Sequence, residues 1–145
     1  MKATAVTAGL AMALGLATRV TAADCQTRIA LTPTTAGRAI DASGRAEVRS
    51  RDGGARQDFK LRMDAAVADG TTFRVFANGR PAGTLTIVLG NGELEVNNDN
   101  GQTLPAGLDP VCSIGPVLVT NATGTVAILF GSFVGCAAAD TPRAG

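Results

Sequence analysis

Residues 45–64 read RAEVRSRDGGARQDFKLRMD, and this stretch decides the fold. Apolar and polar residues alternate on both sides of Gly53-Gly54, the mark of two half-buried strands joined as a hairpin. A two-residue turn at the glycines sets Val48 against Phe59 and Ala46 against Leu61. On the other face Arg49 then meets Asp58 and Glu47 meets Lys60. A slip of one residue destroys both sets of matches. Exposed charge pairs contribute only about 0.2–1 kcal/mol each, so these pairs set the register more than the stability.

The same grammar continues outward. Thr71 to Ala77 leads into Asn78-Gly79. A three-residue loop, Asn78-Gly79-Arg80, sets Phe73 opposite Leu85 and Thr71 opposite Ile87. A type I′ turn at Asn91-Gly92 sets Leu89 against Leu94 and Ile87 against Val96, and sends Glu93 and Glu95 to the other face. Strands 71–77, 84–89 and 93–97 then form a meander. A last hairpin turns at Asn121-Ala122-Thr123-Gly124 and pairs Val117 and Val119 with alternate members of Val126, Ile128 and Phe130. Its second strand, 125–134, is almost continuously apolar, as expected of a central or doubly covered strand. Residues 28–32 supply a further strand at an edge, ended by Pro33. Met63 to Ala68 offers at most one helical turn. The expected fold is all-β: an antiparallel hairpin/meander β-sandwich or small barrel of about seven to eight strands, after an N-terminal signal helix.

Lys2, the apolar run from Ala5 to Ala17 and the small residues Thr21-Ala22-Ala23 have the layout of an export signal cut after Ala23. The apolar run is too short to span a bilayer as a helix. Asp24 stands where a lipobox before Cys25 requires a small residue. The expected organisation is a signal peptide at 1–23 and a single all-β domain at 24–145 with a short disordered C-terminal tail. No transmembrane segment is expected after cleavage, and the product is periplasmic or extracellular.

The chain has 13 Lys+Arg and 12 Asp+Glu. Cleavage removes Lys2 and Arg19 and no acid, so the remainder is near neutral, without the global bias that draws a protein to nucleic acid. It contains no His, Trp or Tyr. Histidine is the usual general base near neutral pH and the commonest metal ligand. Its absence removes Ser-His-Asp and Cys-His catalysis and most zinc and copper sites. The missing Trp and Tyr remove the usual sugar-stacking and interface aromatics. No catalytic residue, cofactor or metal is expected.

Gly70-Thr-Thr-Phe-Arg-Val-Phe-Ala-Asn-Gly-Arg-Pro-Ala-Gly-Thr-Leu, Gly92-Glu-Leu-Glu-Val and Gly124-Thr-Val-Ala-Ile-Leu-Phe-Gly-Ser-Phe resemble a loose set of bacterial exported single-domain all-β proteins of uncharacterised function. The resemblance covers roughly 42–134 and rests on turn glycines and core positions. It implies export and an all-β fold, and it transfers no activity.

Cys25, Cys112 and Cys136 in an exported chain call for a disulfide. Extending the 117–120/125–133 hairpin outward brings Cys136 opposite residue 111, so Cys112–Cys136 is the favoured pair and Cys25–Cys136 the second. Asn97-Asn98-Asp99-Asn100-Gly101 lacks the spacing and the downstream glutamate of a calcium loop, and its residues suit a turn. Asn121-Ala122-Thr123 matches a glycosylation sequon but also suits a turn. Two candidate binding surfaces remain. Arg45, Arg49, Arg51, Arg56, Lys60 and Arg62 form a cationic set able to hold phosphate or carboxylate, although Glu47, Asp52, Asp58 and Asp64 are interleaved with them. The second is the irregular segment 98–116, with Leu104, Pro105 and Leu108, which is either a functional loop or a crossover connection.

The expected function is that of a non-catalytic extracytoplasmic β-module with a structural, adhesive or binding role at the cell envelope. The alternative is an inhibitor or accessory subunit of a secreted or periplasmic enzyme. The partner is an envelope protein or polysaccharide, and not a nucleic acid.

Overall fold

A computed structural model describes residues 24–133. The strands are β1 (Cys25–Pro33), β2 (Ser43–Arg51), β3 (Arg56–Asp64), β4 (Thr72–Ala77), β5 (Arg80–Thr86), β6 (Asn91–Asn97), β7 (Pro116–Asn121) and β8 (Ala127–Ser132), with one short helix, α1 (Thr35–Ala39). All pair antiparallel in one sheet of order β5-β4-β7-β8-β1-β2-β3-β6, which curls into a nearly closed barrel. The expected all-β class is thus observed, in the barrel form. The expected signal peptide, C-terminal tail and Cys136 lie outside the described residues.

The barrel has two four-stranded halves, β1-β2-β3-β6 and β5-β4-β7-β8. They join on one side where β1 meets β8, through Thr32↔Phe130 and Pro33↔Leu129. On the other side β5 and β6 approach each other, held by the Val88↔Asn91 bridge. A Cβ at Gly92 would lie 2.6 Å from Thr86 O, and one at Gly83 would lie 3.0 Å from the Leu94 side chain. This seam therefore depends on glycine.

Strand alternation sends Phe59, Leu61, Met63, Val75, Leu85, Val117, Val119 and Leu129 inward, where all are buried. An apolar interior with charges outside is the reverse of a bilayer-spanning barrel, whose outer band is apolar. Among the described residues no helix is long and apolar enough to cross a membrane.

The β2–β3 register is the expected one, Val48↔Phe59, Ala46↔Leu61, Arg49↔Asp58 and Glu47↔Lys60. The loop is wider than the expected two residues, because Asp52, Gly53 and Gly54 all take positive φ and Ala55 bonds back to Asp52. In β4–β5, Phe73↔Leu85 holds as expected, and Ile87 N donates to Thr71 O at 2.8 Å. The turn itself is tighter than expected. Asn78 and Gly79 both take positive φ, as a type I′ turn requires, and a bulge at Val75/Phe76 absorbs the extra residue.

Three expectations are corrected. The turn after β5 is at Leu89-Gly90, and not at Asn91-Gly92, and β6 crosses to β3 instead of completing a meander. Its pairs are Phe59↔Val96 and Leu61↔Leu94, which bring apolar faces together just as the meander would. In β7–β8, Val119 faces Leu129 and Val117 faces Gly131. A bulge at Val119/Thr120 shifts this strand by one residue from the expected pairing. β1 is not an edge strand but lies between β8 and β2.

Candidate functional site

β1, β2, β3 and β6 present a lattice of charge on their outer face. Cross-strand pairing lines up Ala30, Arg45, Arg62 and Glu93 in one row. The next row is Arg28, Glu47, Lys60 and Glu95, and the next Gln26, Arg49, Asp58 and Asn97. Each strand supplies alternate residues to this face because its other set fills the core.

The charges largely answer one another. Arg49 Nε lies 3.6 Å from Asp58, the pair expected from the sequence. Glu47 takes Arg28 at 4.0 Å, and Glu93 takes both Arg62 at 3.6 Å and Lys60 at 3.9 Å. Most of these side chains are substantially exposed, so each bridge is worth little by itself. Arg45 is different. It stands between Ala30 and Arg62 on the ladder and has no ion-pair partner among the described residues. Arg51 and Arg56 face each other at the hairpin end, both exposed and likewise without an ion pair.

A groove of about 560 Å³ opens beside Arg45. The small residues Ala30, Ser43 and Gly92 leave the space, and Arg45, Arg62, Asp64 and Glu93 rim it. A smaller hollow of about 240 Å³ continues along the row toward Arg28, Glu47 and Lys60. Arg45 and Arg62 line both. Two guanidinium groups over a polar concavity can hold a carboxylate or phosphate through paired N–H donors. Among the described residues no group of His, Cys, Asp and Glu is arranged to hold a metal.

The second candidate surface does not survive as drawn. Residues 98–115 cross the barrel end from β6 to β7 in three single turns, Asp99–Gly101, Ala106–Leu108 and Val111–Ser113. Leu104 and Leu108 are buried, with Val111 and Ile114, and Pro105 is half-buried. These side chains plug the barrel and offer no docking surface. Gly107 passes so close to Ala77 O and the Arg80 Cβ that a side chain has no room there. Asn78 holds the segment from the opposite turn, donating to Gly107 O at 3.3 Å and accepting from Gly115 N at 2.9 Å.

The cysteine pairing is also corrected. Cys25 is bonded to Cys112, so the Cys112–Cys136 and Cys25–Cys136 pairs are both replaced. The geometric reason is the crossover. Cys112 sits in its last turn and reaches the first residue of β1, whereas extrapolating the final hairpin assumed that residues 111–116 continue a strand.

The asparagine-rich turns are structural. Asn98 Oδ1 accepts from Gln57 N at 2.9 Å, and Asn97 Oδ1 accepts from Asp99 N at 3.1 Å. Asn121 Oδ1 accepts from Thr125 N at 2.9 Å and Val126 N at 3.1 Å, which ties up the sequon amide in the turn. The sequence reading missed the contribution of β6 to the charged face. The signal was present: Glu93 and Glu95 alternate with the spacing of Lys60 and Arg62.

Comparison with protein-family models, with curated proteins and with solved structures finds no match.

Proposed function

We propose that the chain is a non-catalytic, exported binding module of the cell envelope, and that it recognises an anionic group on its partner through Arg45 and Arg62. The observation that carries this reading is the groove rimmed by those arginines, with Arg45 unmatched in an otherwise paired lattice. The Cys25–Cys112 bond and the lack of a membrane-spanning helix among the described residues are compatible with export. A chain without histidine has poor means for proton transfer near neutral pH, which supports binding over turnover.

Binding of this kind weakens steeply with salt, since exposed charge is screened within about 8–10 Å at physiological ionic strength. The test is an NMR titration of the mature protein with inorganic phosphate and with galacturonate, read at the arginine Nε–H signals. Arg45 and Arg62 shift, Arg51 and Arg56 do not, and Arg45→Gln abolishes the response. No shift at either arginine with either probe overturns the reading.

The inhibitor or accessory-subunit reading has its own support. Leu89 is 87% exposed at the tip of the β5–β6 turn, beside Val88 at 53%. An apolar tip of this kind suits a pocket on a partner protein. Retention of the mature protein by an envelope enzyme, lost on Leu89→Asp and kept in Arg45→Gln, selects this reading over the first.

A further inference from the structure

The other half of the barrel is built on different chemistry. Strands β4, β5, β7 and β8 contain no aspartate or glutamate, and only Arg74 and Arg80 among the basic residues. Across their outer face runs one apolar row, Pro81, Phe76, Leu118 and Phe130, each the cross-strand neighbour of the next. It ends at Thr32 of β1. Phe130 is 48% exposed, the most accessible phenylalanine of the described chain, and Phe76 and Leu118 are half-buried.

We infer that this face is a homodimer interface, on which a second copy of the chain packs about a two-fold axis near Leu118. The charge pattern selects the occupant. A two-fold contact sets a face against itself, so it must carry nothing that repels its own image. The charged half fails this condition at its row centre, where Arg45 adjoins Arg62 without a carboxylate between them. The uncharged half meets it. Arg74 lies one strand over from Leu118 and one residue pair along β4 from Phe76. With strands about 4.8 Å apart and about 6.8 Å per residue pair, two-fold mates of Arg74 are roughly 17 Å apart. That exceeds the screening length of about 8–10 Å at physiological salt.

The size of the patch sets the strength. Four strands of about six residues give a face roughly 19 by 20 Å. This is at the small end of specific interfaces, so the dimer is expected to be micromolar, with Phe130 as its central anchor. Pairing in this way leaves both charged faces outward, and it stands independently of the anion reading.

The test is sedimentation velocity on the mature protein carrying Cys136→Ser, so that no third thiol can link copies. At about 50 µM the protein sediments as a dimer in exchange with monomer. Phe130→Glu weakens association at least about tenfold, and Phe130→Ser weakens it less, in the order expected for loss of a buried aromatic anchor. Far-UV circular dichroism of both variants matches the parent, because Phe130 is already half in solvent. Arg45→Glu on the opposite face leaves the dimer unchanged. A monomer at that concentration overturns the inference, and so does a dimer indifferent to both Phe130 variants.

Discussion

The side chain of Gln57 accepts a hydrogen bond from the backbone amide of Val111 at 2.9 Å, across 54 residues of chain. Gln57 lies on β3 with its side chain buried, and Val111 opens the last turn of the crossover. A second, longer contact joins Gln57 Nε2 to Asp109 Oδ1 at 3.4 Å. This polar link positions the plug against the barrel wall.

Replacing Gln57 with leucine keeps the volume and leaves the Val111 amide buried without an acceptor. The expected cost is about 1–3 kcal/mol. Urea denaturation followed by circular dichroism measures it. A loss under 0.5 kcal/mol would mean that water satisfies the amide and that the link is dispensable, an estimate that rests on the desolvation cost of a bare amide of about 1–3 kcal/mol.

Ser50 stands beside Gln57 on the neighbouring strand, 2% exposed, and its hydroxyl has no hydrogen-bond partner among the described residues. Ser50→Ala removes a desolvated polar group at almost no change in volume. Stability should hold or rise by up to about 1 kcal/mol. A clear loss in the same urea experiment would reveal a bound water at the hydroxyl.

Cys25 and Cys112 are 87 residues apart in sequence. For a closed loop of this size the chain-entropy model gives about 4–5 kcal/mol. Cys25→Ala with Cys112→Ala should lower the urea midpoint accordingly. Non-reducing peptide mapping should recover Cys25 linked to Cys112. Recovery of either joined to Cys136 in the mature protein would contradict the pairing.

Leu89 takes a φ of 52° at the tip of its turn. A bulky residue at positive φ is strained, and asparagine or glycine fits this first position of a type I′ turn better. Leu89→Asn should raise stability by about 0.5–1 kcal/mol, read as a rise in Tm. A fall would show that the exposed side chain makes a contact worth more than the strain.

Val48→Asp buries a carboxylate against Phe59, on a position 2% exposed, and should be severely destabilising. Arg49→Ala, on the opposite side of the same strand, removes one partly exposed pair and should cost under about 1 kcal/mol. The order of the two thermal melts checks which face of β2 is inside.

The β2–β3 hairpin was legible in the sequence because two independent patterns, apolar and charged, agreed on one register. β6 was not, because Leu94 and Val96 match Leu89 and Ile87 in a meander as well as they match Leu61 and Phe59 across the barrel. Apolar alternation states which face is buried and is silent about the neighbour. Only Glu93 and Glu95, aligned with Arg62 and Lys60, separate the two arrangements. The β7–β8 register was lost for another reason: a bulge moves every later pair by one, and Thr120 carries no local mark of it. The cationic set was visible as residues, but the groove beside Arg45 depends on Ala30 and Gly92 from strands whose positions the sequence left open. The crossover was recognised as one of two possibilities, and Leu104 and Leu108 at its buried positions decide it.

Strand β1 sits between the first hairpin and the last strand, and Thr34 beside it bonds to Ile128, 94 residues on. A chain that emerges amino end first can therefore assemble β1, β2, β3 and β6 long before β7 and β8 exist. Cys112 follows β6 closely, so its bond to Cys25 can form on this half-built intermediate. Until the final hairpin arrives, Val48, Phe59 and Leu61 stand open to solvent and to other unfinished chains. A premature stop anywhere before β8 leaves an oxidised, locally ordered half with an uncovered apolar wall, a species for proteases and chaperones to remove.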